Sequence, residues 1–416
     1  MGQTRRAHRK SRGGCDECKR RRIKCSEEKP SCAHCLRHLV NCVYSLQIPE
    51  RTKRSTASPL SSTSPVATPS RQASTFNDPY PTSYQSHVAS DPSLYTLSDL
   101  ALLHHWIMVT SPNIVQSPSV NHIWQIAFPQ FAFTNGALMS RILSIAGLHR
   151  AYLEPTIANR QTAMIVAEQH HSRAIDGLME SLLVDIDPGS GNAIFANAVL
   201  TFFYAFVSFG PLYNKEHTGD SAAAYTSRIL GASWVPLILG LKPVLARVHE
   251  QVVEGPLRSL LDVEKWYELQ PGTEDDPDDT HIDRTRELWS TSSYSEEDKT
   301  IYNGALGGLR QCNMWLKKSY GWGAEDAPRK ANYGPWSGPF IWISMIPKAF
   351  FTLLDQRQVP AMVIFANFGA LLHRLNHLWY MEGCGKSIVE VVDQCLGPYW
   401  SEWLVWAKMV VGSEMP

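Results

Sequence analysis

Beyond residue 96 the apolar positions recur three and four apart, and alternation in twos is scarce. Leu138, Ile142, Ile145, Leu148 and Tyr152 keep one helical face, and Ile175, Leu178 and Leu182 continue the pattern in the next segment. The same spacing runs from Leu241 to Leu261 and from Ala361 to Tyr380, with Phe368, Leu371, Leu375 and Leu378 in step. Such periods predict amphipathic helices around a shared core. Thr96-Leu97-Ser98-Asp99 has capping-box spacing ahead of Leu100, Leu103, Trp106 and Ile107, so ordered structure is expected to resume there. The most apolar stretch, 193–209 (AIFANAVLTFFYAFVSF), contains Asn197, Thr201, Tyr204 and Ser208 and lacks charged flanks. It is expected to be a buried core helix and not a membrane span. The fold class is all-α, with residues 96–416 as one large helical domain.

The pattern is absent further toward the N-terminus. From Ser55 to Tyr95 the chain is mostly Ser, Thr and Pro, with only Arg71, Asp78 and Asp91 charged. Such a stretch cannot bury enough apolar surface to offset its ordering entropy, so 46–95 is expected to be a disordered linker. Prolines at 59, 65, 69, 79, 81 and 92 exclude a long coiled coil there, so any homodimer is expected to form through the helical domain. The formal charge of the whole chain is zero, but residues 1–54 hold fifteen Lys/Arg against five Asp/Glu. A basic head on an acidic body marks an interface for polyanions, nucleic acid first. No apolar anchor adjoins the basic block, which argues against a membrane partner, and no secretory signal pattern is present. The chain reads as soluble and intracellular.

Six of the nine cysteines fall between 15 and 42 and repeat one spacing, C-x2-C-x6-C: Cys15, Cys18, Cys25, then Cys32, Cys35, Cys42. In a reducing compartment clustered thiols hold metal more often than they form disulfides. Each half offers three thiolates, one short of a closed tetrahedral zinc site. Six sulfurs fill the eight positions of two zinc ions only if two of them bridge. The duplicated spacing makes Cys15 and Cys32 the symmetric choice. The cluster then carries a net charge of −2, which Lys19, Arg20, Arg21, Arg22 and Lys24 offset. Structural zinc contributes on the order of 10–16 kcal/mol to folding such small modules, which have almost no apolar core.

The segment CDECKRRRIKCSEEKPSCAHCLRHLVNCVYS, with its basic block and Pro30, closely resembles the fungal zinc binuclear cluster family of transcription factors. The resemblance implies that each half is a short helix plus an extended strand, that the first and fourth cysteines bridge, and that CGG-like triplets are read in the major groove. It places base-reading side chains three and four residues past the second cysteine, at Arg21 and Arg22. Arginine suits that task because its fork pairs bidentately with guanine O6 and N7. Lys19, Arg20, Lys24 and a basic arm over 1–14 are then expected on phosphates, and Arg51, Lys53 and Arg54 add to a nuclear-import signal. The resulting organisation is a basic arm (1–14), a two-zinc six-cysteine DNA-binding module (15–45), the linker (46–95) and a helical regulatory domain (96–416).

A second resemblance rests on TLSDLALLHHW, SWVPLILGLKPVLARV and ALLHRLNHLWYMEGCG, which look like the regulatory domains of fungal sterol uptake control proteins and their relatives. It implies control by a small hydrophobic effector, a sterol or another metabolite, with the factor held in the cytoplasm while the effector is bound. Relatives of this kind also govern secondary-metabolite gene clusters. Expected partners are therefore double-stranded DNA, the RNA polymerase II transcription machinery and such an effector, with the nucleus as the place of action. The alternative is an enzyme or scaffold carrying a zinc appendage. No H-E-x-x-H or G-x-S-x-G occurs, and Gly385-Lys386-Ser387 lacks the first glycine of a phosphate loop, where Tyr380 stands. His373 and His377, one helical turn apart, are expected to be ordinary polar-face residues. The acidic run 274–283 (EDDPDDTHID) is expected to be a solvated loop rather than an activating segment.

Overall fold

The structure, a computed structural model, describes residues 15–21, 23–27, 32–37, 42, 95–115, 120–183, 186–187, 189–213, 221–261, 266, 268–272, 276–290, 294–320 and 337–413. The basic arm, Arg22, Pro30, Arg51–Arg54 and linker residues 46–94 lie outside these. The chain divides into two compact units, residues 1–81 and 82–416. Among the described residues there is no strand, so the all-α class stands. The cluster halves contribute two short helices, α1 (Asp16–Arg21) and α2 (Ala33–Arg37).

The second unit begins with the capping box that the spacing predicted. Ahead of α3 (Leu97–His105), the Asp99 amide donates to Thr96 Oγ1 at 3.2 Å and the Thr96 amide donates to Asp99 Oδ2 at 2.7 Å. Asp99 has a second partner, His170 Nε2 at 2.9 Å from Oδ1. This buried pair turns Asp99 inward and brings Leu102 and Trp106 with it. Leu100, expected in the buried stripe, is 56% exposed as a result.

Helix α4 (Gly136–Leu153) buries Leu138, Ile142, Ile145 and Leu148 and packs along α5 (Ile157–Leu183). The apolar run is α6 (Gly191–Phe209), which crosses α7 (Trp234–Val253). By length and apolarity α6 is able to span a membrane, but 83% of that window is buried inside the protein. Residues 222–253 meet the same length and composition test with 39% buried, interrupted by the turn at Gly231 before α7. The period from Leu241 to Leu261 is not one helix. Gly255 and Pro256 end it, because proline disfavours a helical residue before it, and Arg258–Leu261 forms a separate 3-10 turn.

The acidic run corrects an expectation. Pro277 sits at the first helical position, where its missing N–H costs nothing, and starts α8 (Pro277–Arg284), with the Asp276 side chain accepting from the Asp278 amide at 2.9 Å. The carboxylates of Asp276, Asp278, Asp279 and Asp283 are paired, not solvated. Arg310 on α9 (Glu296–Tyr320) binds Asp279 at 2.6 Å and Asp283 at 2.9 Å, and Lys317 binds Asp276 and, at 2.9 Å, Asp278. Asp278 also takes Arg374 at 2.6 Å and the Trp406 indole N–H at 3.0 Å. Burial alone pushes the Asp278 carboxyl up, but Arg374 and Lys317 hold it down at about 2.

Helix α10 (Ser337–Met345) donates the Trp342 indole N–H to the Ala305 carbonyl at 3.0 Å. Helix α11 (Val359–His373) crosses α12 (Cys384–Leu396) so closely that a Cβ on Gly385 would meet the Gly369 carbonyl oxygen at 2.3 Å. The Gly-Lys-Ser string is thus a helix-crossing feature. Helix α11 ends at His373, so His377 lies in the following turns and the two histidines share no helical face, while Leu375 and Leu378 stay buried because those turns fold back on the core. The last helix is α13 (Val405–Val411).

Candidate metal centre and nucleic-acid interface

Helix α1 follows Cys15 directly, and α2 follows Cys32, so each half starts with a thiol against a helix N-terminus. The Cys18 amide donates to Cys15 Sγ at 3.5 Å, and the Cys35 amide donates to Cys32 Sγ at 3.4 Å. Likewise the Cys15 amide meets Cys25 Sγ at 3.4 Å, and the Cys32 amide meets Cys42 Sγ at 3.3 Å. The repeated spacing is therefore a repeated local geometry. The Ala33 amide donates to Ser26 Oγ at 2.8 Å, joining the halves.

All six thiols gather in one cluster, five of them buried and Cys42 packed against the rest. The contacts across the halves are Cys15–Cys35 at 3.6 Å, Cys18–Cys32 at 3.6 Å and Cys15–Cys32 at 3.7 Å between sulfurs. A disulfide needs about 2.05 Å, so these are not bonded pairs. With zinc–sulfur bonds of about 2.3 Å, the sulfurs of a tetrahedral site stand about 3.8 Å apart. The observed spacing therefore fits ligands that share metal. The Sγ atoms of Cys15, Cys18, Cys32 and Cys35 all lie within 4.8 Å of one another. Burial pushes the Cys18 thiol up, and raises Cys35 to about 12, whereas Cys32, which accepts the Cys35 amide, is lowered to about 6. Without a cation most of these groups would stay protonated. A coordinated thiol is deprotonated outright, so the buried set calls for a soft cation.

Beside this centre α1 carries Asp16 and Glu17 in its first turn and Lys19, Arg20 and Arg21 in its last, the order its dipole favours. Lys19, Arg20, Arg21 and Lys24 are all exposed. Reading these charges as one block hides a division among them. Arg20 clamps Glu17 with two donors, Nε at 2.9 Å and Nη2 at 2.8 Å, whereas Arg21 gives Glu17 its Nε at 2.7 Å. Hydrogen bonding from Arg20 holds the Glu17 carboxyl at about 2. The spacings of three and four that signal this clamp are visible in the sequence.

Residues 13–51 match the model of the fungal Zn(2)-Cys(6) binuclear cluster domain, over the segment that contains all six thiols. The chain carries this domain and binds two zinc ions through it, and its similarity to named zinc-cluster factors supports a DNA-binding regulator of transcription. It is similar to a Zn(2)-C6 fungal-type transcription factor of Gibberella zeae, 26% identical over 99% of this chain and 88% of that protein. A Zn(2)-C6 fungal-type transcription factor of Aspergillus fumigatus is 35% identical over 36% of this chain and 35% of its own length. Sterol uptake control protein 2 of Saccharomyces cerevisiae is 52% identical over 10% of this chain and 4% of its own length. That likeness is confined to the short N-terminal domain and does not reach the helical part.

Proposed function

We propose that Cys15, Cys18 and Cys25 hold one zinc ion and Cys32, Cys35 and Cys42 the other, with Cys15 and Cys32 shared between them. The observation that carries this is the crossed sulfur contacts. Cys15 approaches Cys35 of the opposite half, and Cys18 approaches Cys32, as two bridging sulfurs require. Metal held there fixes α1, and α1 presents its basic face to duplex DNA. Arg21 and Arg22 read base edges, CGG-like triplets in the major groove, while Lys19, Arg20 and Lys24 bind phosphates. The clamp supports this division: Arg20 has two donors committed to Glu17, and Arg21 commits its Nε edge.

The helical domain is the regulatory part of an RNA polymerase II factor acting in the nucleus, where proteins of this family work. The relatives named above are transcription factors, which disfavours the enzyme reading. Among the described residues a cleft of about 160 Å³ is lined by Tyr152, Arg160, Val207, Gly210, Leu212, Trp379, Tyr380 and Glu382, and a more open groove of about 620 Å³ by Leu245, Ala246, Arg247, His249, Glu250 and Leu261. Sites for drug-sized ligands are about 300–1,000 Å³. If an effector enters the smaller cleft it is a single-ring metabolite and not a sterol, and release from the cytoplasm would respond to that compound. A homodimer through the helical domain completes the reading.

Selection of bound duplexes from a random pool by the full chain tests the DNA assignment. Arg21→Ala should cost about 1–3 kcal/mol and relax one position of the preferred site, whereas Lys19→Ala should weaken all duplexes alike and reduce the salt slope by about one. An unchanged preferred site in Arg21→Ala refutes the base-reading role.

A further inference from the structure

We propose that the smaller cleft of the helical domain is a receptor site for a free amino acid with a single-ring side chain. The inference rests on the reading of that cleft as an effector site and names the class of compound it takes. Tyr152 comes from α4, Arg160 from α5, and Trp379, Tyr380 and Glu382 from the turns between α11 and α12, with the end of α6 closing the apolar side. Behind this wall His149 stacks on the Trp379 indole with centroids 4.5 Å apart and holds it in place. Rings with a few polar groups among them are the usual lining of a small-molecule site, and those few groups set what is bound. The volume, about 160 Å³, is the room of about five water molecules. A side chain larger than one ring does not fit it.

The two charges on the wall identify the occupant. Glu382 is partly buried, and the group it holds is the neutral Tyr152 hydroxyl, which donates to its Oε2. Among the described residues no cation pairs with it. A carboxylate drawn out of water beside aromatic rings lacks compensation. An ammonium group supplies it, and the rings add cation–π attraction. A plain amine, however, would also face Arg160. That guanidinium is held by Nε and Nη2 on the Glu154 carbonyl at 3.3 and 3.0 Å, so its charge is fixed at the cleft. Its planar fork suits a carboxylate. Trp379 adds a buried indole N–H with no acceptor, an open donor of the kind a carboxylate satisfies. The cleft thus offers one charge of each sign and room for one ring. An amino acid meets both charges, whereas an amine or an acid alone meets one and leaves the other opposed.

Isothermal titration calorimetry of the full chain with L-phenylalanine, L-tyrosine, L-histidine and L-proline tests this. Two further ring compounds, 2-phenylethylamine and 3-phenylpropanoate, each lack one of the charges. At least one of the four amino acids should bind saturably, and both single-charge compounds should bind more weakly by about tenfold or more, the scale of one charge-assisted hydrogen bond. Glu382→Gln, which keeps an acceptor for Tyr152, should weaken the amino acid by the same factor and leave 3-phenylpropanoate unchanged. Arg160→Gln should weaken the amino acid and leave 2-phenylethylamine unchanged. If either variant does not fold, the comparison of compounds on the native chain decides the matter. A single-charge compound that binds as tightly as every amino acid would overturn the amino-acid assignment while leaving the cleft an effector site. Binding by none of the six compounds would overturn the proposal and remove the support for an effector in this cleft.

Discussion

At the scale of single residues the proposed DNA interface turns on how Glu17 divides its two arginine neighbours. A carboxylate at the start of a helix that faces a polyanion repels it, so its presence beside the basic block needs a reason. The geometry supplies one: Glu17 holds Arg21 by Nε and limits the orientations its fork samples before DNA arrives. Ordering a side chain in advance reduces the entropy lost on binding. Glu17→Gln removes a repulsive charge and loosens that hold. Affinity for non-specific duplex should rise, while the ratio of specific to non-specific affinity should fall several-fold. Titration of the preferred duplex and a scrambled one at fixed salt checks this, and an unchanged ratio would show that Glu17 does not position Arg21. The clustering of the six thiols was legible in the sequence because thiol spacing is local and their number is countable. The clamp is equally local, but five cations within six residues, read as one block, obscure it.

At the scale of elements, what was legible depended on range. Capping of α3 by Thr96 and Asp99 is a contact three residues apart and could be read directly. The second bond of Asp99, to His170, spans 71 residues, and together with burial of Leu102 and Trp106 it sets the inward face of α3 and leaves Leu100 outside. The acidic run followed the same logic. Its charges suggested solvent, but the cations that pair with it, Arg310, Lys317 and Arg374, come from distant helices. Gly385 gives a sharp test of such context. An Ala there would drive its Cβ against the Gly369 carbonyl and the His373 amide at 2.5 Å, both backbone groups that cannot turn aside. Gly385→Ala should therefore destabilise the helical domain by about 1–3 kcal/mol, the range for overpacking. Urea unfolding followed by tryptophan fluorescence measures it. A phosphate-loop role would instead leave stability unchanged and abolish nucleotide binding.

Mild acid is expected to destabilise the helical domain through His149, which is buried, and His171, which is partly buried. His149 lies against Trp379 with ring centroids 4.5 Å apart, and burial, with His105 nearby, lowers it to about 4. Burial and Arg141 lower His171 to about 3. A depressed histidine pKa means the unfolded chain takes up the proton first. Stability is then full above about 6.5 and declines as pH falls from there toward 4, by at most about 1.4 kcal/mol per pH unit for each histidine. Urea midpoints at pH 7 and pH 5 should differ less in His149→Gln than in the native chain. Equal differences would show that His149 is not one of the groups responsible.

The cluster unit depends instead on metal, and metal content is the quantity that decides how its six thiols are used. Six thiolates at this spacing satisfy two tetrahedra only by sharing two sulfurs, and the crossed approach of Cys15 to Cys35 and Cys18 to Cys32 is what the proposed sharing requires. Native mass spectrometry of the full chain, with thiol alkylation alongside, measures this most directly. The expected result is two zinc ions per chain with Cys15, Cys18, Cys25, Cys32, Cys35 and Cys42 all protected until a chelator is added. A single zinc ion with Cys42 freely alkylated would contradict it.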